Sequence, residues 1–191
     1  MKHEGLGPAQ QDRLQLFESL LRERAVQLGM IAESDLSRLR ERHIDDCLRA
    51  ATLVGPQDAR ACDLGSGAGL PGIVVAIARP LLLVILAEAR RGRASFLELA
   101  VERLGLENAQ VHAGRVQELQ GPVDLCFARA FGPARAAWRA AEPLLGPAGR
   151  LVYFGGRNFD AARDAPEHVR VEVRAGLPIE RFGPLVIMTR Q

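Results

Sequence analysis

The chain has 191 residues, 48% of them hydrophobic and 25% charged, with 25 basic against 23 acidic side chains and a formal net charge of +2. That balance describes a globular protein large enough to bury a core, most simply as one compact domain, and it excludes disordered and fibrous classes. The longest apolar run, 80–87, is too short to span a bilayer, and no secretory signal opens the chain, so a cytoplasmic protein with no membrane partner is expected.

In chain order, Leu14, Phe17, Leu21, Ala25 and Leu28 recur at three- and four-residue spacing and predict an amphipathic helix, stopped by Gly29. Ser34 is the expected cap of a second helix, whose stripe is Leu36, Leu39, His43, Cys47 and Ala51 and whose end is Gly55-Pro56. These helices make a helical extension, 1–56, expected to pack on a core of 57–191. From there the period changes. Apolar runs at 59–64, 82–88, 109–113, 123–128 and 150–154 alternate with helical segments at 71–79, 91–104, 115–120 and 133–145, which implies a parallel sheet covered on both faces. Residues 161–166 read as a connector. Strands at 169–174 and 185–189, joined by a loop with Pro178 and Gly183, form a hairpin. The fold class is therefore α/β, a doubly wound, Rossmann-like sheet that is mostly parallel and closes on an antiparallel hairpin.

The densest chemistry lies in Cys62-Asp63-Leu64-Gly65-Ser66-Gly67-Ala68-Gly69-Leu70-Pro71-Gly72, between the first strand and the helix after it. Glycines there let backbone take left-handed dihedrals and approach a ligand, and Pro71 suits the first turn of the helix. Residues 67–72 also read Gly-x-Gly-x-x-Gly with Glu88 about twenty residues on, as in dinucleotide sites. No Lys-Ser/Thr pair follows, which excludes a phosphate-binding P-loop. Asp63 before the first glycine points away from a pyrophosphate. With the antiparallel finish, the run resembles the cofactor loop of class I S-adenosylmethionine methyltransferases. Ligands of such sheets sit at the carboxyl ends of strands, which here carry Asp63, Glu88, the turn Ala113-Gly114-Arg115, Arg129 and Gly155-Gly156. Glu88 is suited to accept from both ribose hydroxyls, and the turn holding Arg115, Val116 and Gln117 to pass over an adenine.

Cys47, Cys62 and Cys126 show no Cys-x-x-Cys spacing, and His3, His43, His112 and His168 are scattered, so neither a disulfide framework nor a metal is expected. Lys2 stands alone against twenty-four arginines. That bias suits an RNA partner, since arginine forks onto phosphate and stacks on bases, and it follows equally from an arginine-rich codon usage.

Three segments together carry a closer resemblance: Arg42-His43-Ile44-Asp45-Asp46-Cys47, the glycine loop with its Leu70-Pro71-Gly72-Ile73 continuation, and Ala128-Arg129-Ala130-Phe131. With residues 88–97, including Arg93, Phe96 and Leu97, they resemble the bacterial small-subunit ribosomal RNA guanine-N7 methyltransferases, formerly called glucose-inhibited division protein B. The resemblance implies S-adenosyl-L-methionine as cofactor, methyl transfer to a guanine N7, and a monomer acting on 16S ribosomal RNA or a precursor of the small ribosomal subunit. It implies cofactor contacts from Asp63, Gly65, Ser66, Gly67, Gly69, Leu70, Glu88, Arg115, Val116, Gln117 and Arg129. Arg129 is also the expected catalytic residue, and Arg42, His43, Asp46, Arg93 and Phe131 are the expected substrate contacts. Guanine N7 carries a lone pair and no proton, so no general base is needed and positioning carries the chemistry. Arg38, Arg40 and Arg42, with Arg90, Arg91 and Arg93, are expected to form a basic rim. The chain departs from the family pattern at Cys47 in place of serine, at Gly155 in place of lysine, and at Gly29-Met30-Ile31-Ala32 in place of an aromatic-rich segment. A methyltransferase acting on another RNA or a small molecule, and an RNA-binding relative without turnover, remain as alternatives.

Overall fold

The computed structural model describes residues 5–176 and 182–191. Seven strands form one sheet in the order β3-β2-β1-β4-β5-β7-β6. They are β1 (Arg60–Leu64), β2 (Leu83–Ala87), β3 (Ala109–His112), β4 (Val123–Ala128), β5 (Leu145–Phe154), β6 (Val169–Arg174) and β7 (Leu185–Arg190). The first five run parallel, and β7 is antiparallel to both β5 and β6, so the expected hairpin is present with its last strand inside the sheet. Pro178 of the hairpin loop lies outside the described residues. Strand order reverses between β1 and β4, which opens a crevice at their carboxyl ends.

Two helical layers cover the sheet. On one face, α1 (Pro8–Leu20), α2 (Asp45–Ala51), α3 (Gly72–Ala78) and α4 (Arg91–Leu104) share a core that joins Leu14 and Phe17 to Ile73, Phe96 and Leu97. On the other, α5 (Ala134–Ala141) buries Trp138 against Cys62, Cys126 and Met188. Each wholly buried Leu, Phe or Ile on these faces contributes about 1.5–3 kcal/mol. Among the described residues, no helix is long and apolar enough to cross a membrane.

The N-terminal segment differs from its sequence pattern in instructive ways. After α1 the chain winds as a π-turn over Leu21–Ala25. The wider turn shifts the phase of the stripe, so Leu20 is buried and Leu28 is exposed. The second helix is three pieces, a 3-10 turn Glu33–Arg38, a π-turn Arg40–Ile44 and then α2; Ser34 lies inside the first piece, whose cap is Ala32. Pro71 caps α3 from outside and does not occupy its first turn. The expected helix at 115–120 is a 3-10 turn, Val116–Glu118. Helix α5 stops at Ala141, and β5 begins at Leu145, earlier than its apolar run suggests. The expected connector after β5 contains the short helix α6 (Ala161–Asp164), capped where the Asp160 carboxylate accepts from the Arg163 N–H at 2.9 Å.

Candidate functional site

The loop after β1 is shaped by backbone needs. Gly65, Gly67 and Gly69 take φ of +65°, +54° and +80°, where a Cβ is strained. Gly69 packs on Ile73, and Gly72 packs against Leu86 and within 2.7 Å, measured from an ideal Cβ, of Asp63 Oδ2. Two acids lock this loop. Asp63 Oδ2 accepts from the Gly72 N–H at 3.0 Å and thereby caps α3. Glu88 accepts from the Gly67 N–H at 3.0 Å through Oε2 and from the Arg90 N–H at 2.8 Å through Oε1. Each carboxylate oxygen has a second lone pair, so Glu88 is oriented without being exhausted as an acceptor. Ser66 Oγ donates to the Asp63 carbonyl at 3.0 Å, and the Leu70 side chain is buried in the core.

Asp63 and Glu88 are buried, and among the described residues neither forms an ion pair. Burial pushes the Asp63 carboxyl up to about 7, against the opposing pull of the Gly72 N–H, the Ser66 hydroxyl and the Arg129 charge. A buried acid with no ion-pair partner among the described residues fits a cationic ligand group.

The turn at the end of β4 supplies the second half of the site. Ala130 has φ +55°, rare for a residue with a Cβ, and this twist sends Arg129 and Phe131 to different sides. Phe131 lies on the glycine loop: a Cβ at Gly65 would stand 2.9 Å from its ring. Arg129 turns toward the N-terminal segment, its Nη2 donating to His43 Nδ1 at 2.5 Å and its Nε lying 3.8 Å from Asp46 Oδ2. Asp46 also accepts from Arg49 at 2.6 Å, and Arg49 donates to the Gly183 carbonyl at 3.1 Å and covers the Phe182 ring at 5.1 Å. The Gly155 N–H donates to Pro184 O at 2.9 Å, so the end of β5 joins the same corner.

His43 is bracketed. Its Nε2 faces Asp35 Oδ2 at 3.3 Å, while Arg42 donates to Asp35 Oδ1 at 2.6 Å. Arg129 can only donate, so His43 Nδ1 accepts and the proton sits on Nε2, facing Asp35. Burial, followed by the Arg129 charge, holds the His43 pKa below its ordinary 6.5 and keeps the ring neutral. Burial raises Asp46 above its ordinary 3.8 despite Arg129 and Arg49. Asp35 was missed in the sequence. It lies eight residues before His43 and reaches it across a 3-10 turn and a π-turn, not along one regular helix.

The remaining expected residues are more scattered. Arg115 and Gln117 are exposed on the 3-10 turn after β3, and the Val116 side chain is packed in the core. His112 Nε2 lies 3.2 Å from the Arg115 carbonyl. Arg93 donates to the Gly29 carbonyl at 3.3 Å and so fastens α4 to the N-terminal segment. The basic rim is uneven. Arg38 pairs with Glu41, Arg40 with Asp45 and Arg42 with Asp35, whereas Arg90 and Arg91 are exposed with no ion pair among the described residues.

Residues 10–175 match the family described as rRNA small subunit methyltransferase G. Among curated relatives, ribosomal RNA small subunit methyltransferase G of Thermobifida fusca is 38% identical over 156 residues, covering 81% of this chain and 65% of that protein. The protein of that name from Acidothermus cellulolyticus is 40% identical over 141 residues, covering 74% of this chain and 63% of its own. The one from Mycolicibacterium gilvum is 35% identical, covering 87% and 75%. The chain thus spans slightly less than two thirds of the first two relatives. Of solved structures, a mutant of MtNAS in complex with S-adenosylmethionine superposes with a TM-score of 0.62 at 19% identity, over 95% of this chain and 76% of that one. A SAM-dependent methyltransferase from Aquifex aeolicus superposes with a TM-score of 0.56 at 16% identity, over 80% of this chain and 92% of that one. At such identities the superpositions speak for the fold alone.

Proposed function

The chain belongs to the rRNA small subunit methyltransferase G family, and we propose that it transfers a methyl group from S-adenosylmethionine to N7 of a guanine in small-subunit ribosomal RNA. The observation that carries this reading is the contact of Phe131 with Gly65, which brings the β4 turn against the loop with the two buried acids. S-adenosylmethionine supplies an electrophilic methyl on a positively charged sulfur. Asp63, Ser66 and the glycines of the loop hold its amino-acid end, with the Asp63 charge balanced by a cationic group. Glu88 accepts from its ribose, and the turn holding Arg115, Val116 and Gln117 borders its adenine.

The acceptor side is built for placement. Phe131 offers a ring face on which an extruded guanine stacks. Arg129 donates to guanine O6 or to the adjacent phosphate, as arginine does in nucleic-acid sites. Its guanidinium has five N–H donors, of which His43 and Asp46 engage only part, so it is aimed and still able to bind. His43 and Asp46 act through Arg129, and Arg42 and Arg93 act from the rim. No group is required to remove a proton from N7. On this reading the helical extension, 1–56, completes the acceptor side of the core, 57–191, in a monomer working in the cytoplasm.

The test is incubation of the purified chain with S-adenosylmethionine and small ribosomal subunits or their RNA, followed by mapping of N7-methylguanine through its chemically induced strand scission. One methylated guanine in small-subunit RNA is expected, and it should disappear with Gly67→Val. No methylation of any ribosomal RNA by a chain that binds S-adenosylmethionine would overturn the RNA assignment.

A further inference from the structure

A second concavity lies beyond the β4 turn, on the side away from the N-terminal segment. It has a volume of about 530 Å3 and is walled by the start of α5, the end of β5 and the loop before α6. None of the residues assigned to cofactor or acceptor lines it. Its walls are of three kinds. Tyr153 and Phe159 present ring surfaces, with centroids 6.1 Å apart and planes inclined at 47°. Asn158 contributes a side-chain amide, which both donates and accepts. Arg135, Arg157 and Arg163 contribute cationic edges.

These walls are fastened to the acceptor turn. Tyr153 Oη donates to the Gly132 carbonyl at 3.0 Å, one residue after Phe131. Arg163 is neutralised by Asp164, with Nε–Oδ1 at 2.8 Å, and donates to the Asn158 carbonyl at 2.8 Å, so it shapes the loop and is a poor phosphate ligand. Arg135 donates through Nη2 to the Arg163 carbonyl at 3.2 Å and its charge also acts on Asp164, yet this hydrogen bond engages one of its five N–H donors. Ring faces, an amide of either hydrogen-bonding sense and guanidinium edges are what one nucleotide of single-stranded RNA requires. The volume lies within the ordinary range of about 300–1,000 Å3 for ligand pockets. A protein partner fits less well: nothing here is a long apolar groove, and the aromatic surface is about one base in extent.

We infer that this concavity is a binding subsite for a nucleotide flanking the methylated guanine, with its base stacked on Phe159 or Tyr153 and its phosphate facing Arg135 and Arg157. The inference rests on the RNA reading above and adds to it a second base-holding site. With one base on Phe131 and a neighbour beyond Gly132, the strand is gripped on both sides of the twisted turn at Ala130, and splaying the two bases apart exposes N7 of the first.

The experiment uses the full chain and short oligoribonucleotides that carry one guanine, with a fluorescent adenine analogue placed on its 5′ or its 3′ side. Quenching by the wild-type chain on one side only is expected, as stacking on a ring produces. Phe159→Ala should abolish that quenching and weaken RNA binding by about five- to hundredfold, the range for losing one stacked base. Arg157→Glu, at an exposed position, should weaken binding without abolishing the quench. S-adenosylmethionine affinity should be unchanged in both variants, which also verifies their folding. If both variants bind and quench as wild type does while the wild-type chain methylates RNA, the subsite is refuted and the function stands. If the wild-type chain binds no RNA, both readings fall. If Phe159→Ala retains RNA affinity but loses capture of a protein, the cavity is a protein-docking site and the inference is wrong.

Discussion

The loop after β1 and the corner at the end of β4 touch over Gly65, yet they are built by opposite means. The loop is local. Its shape comes from glycines within eight residues of one another and from acids at the ends of two adjacent strands, and its hydrogen bonds are mostly to backbone. The corner is assembled from side chains far apart in the chain. Arg129 and His43 are 86 residues apart, and Arg49 and Gly183 are 134 apart. A backbone cradle of the first kind suits a ligand that is always the same. A charged side chain held by several others suits a reaction in which placement is everything, because each partner removes one way for the guanidinium to be misplaced.

The largest expected effect is on the loop. Gly72→Ala puts a methyl group against Leu86 and Asp63 and should destabilise the chain by up to about 3 kcal/mol in urea unfolding. Gly67→Val forces a β-branched residue into left-handed backbone and should abolish S-adenosylmethionine binding. If either variant retained stability and cofactor affinity while losing turnover, the division of labour would be misdrawn.

The corner should respond more selectively. His43→Ala removes a hydrogen bond to a charged group, about 1.5–3 kcal/mol, so turnover should fall by roughly ten- to hundredfold. The pH dependence has a definite sign. The His43 pKa is lowered, so the neutral ring and the bond from Arg129 persist above 6.5 and are lost as acid carries the solution through the lower folded value. Turnover should therefore decline on an acid limb below 6.5. Asp35 raises the His43 pKa, so Asp35→Asn should move that limb to still lower pH while reducing the plateau. A limb that moved upward would contradict the bracketing of His43.

On the loop side the pH effect runs through Asp63. Its raised pKa means that the proton stabilises the fold fully below 3.8 and that this contribution is lost as pH rises through about 7. A cationic ligand group reverses this preference. S-adenosylmethionine should bind more tightly as pH rises toward about 7 and should release a proton, visible by calorimetry in buffers of different ionisation heat. The smallest effect belongs to the rim: reversing Arg90 and Arg91 to Glu should weaken RNA binding modestly and flatten its salt dependence by about two units of slope.

The loop and the sheet were legible in the sequence because their causes are local. Apolar strands, glycines and the acid at the end of β2 each act on their immediate neighbours, and the hairpin followed from the lack of a helix between β6 and β7. The N-terminal segment was legible only in outline. A π-turn leaves no composition signal, and it displaced Leu28 from the core in favour of Leu20. Asp35 was invisible for the same reason, since it reaches His43 across irregular turns. Arg38, Arg40 and Arg42 looked like a basic rim because a charge run does not reveal its partners, and Glu41, Asp45 and Asp35 neutralise them. The cavity between Tyr153 and Phe159 depends on α6, whose four residues are too few for periodicity to show.

The most direct test of the two-part site is Arg129→Ala, measured for S-adenosylmethionine affinity by titration and for methyl transfer to small-subunit RNA in the same preparation. Affinity should stay within about threefold of wild type while turnover falls by about a hundred- to a thousandfold, the usual loss for one placed donor. Equal losses in both would return Arg129 to the cofactor contacts that the family resemblance implied and contradict its place on the acceptor side, and unchanged turnover would remove it from the chemistry.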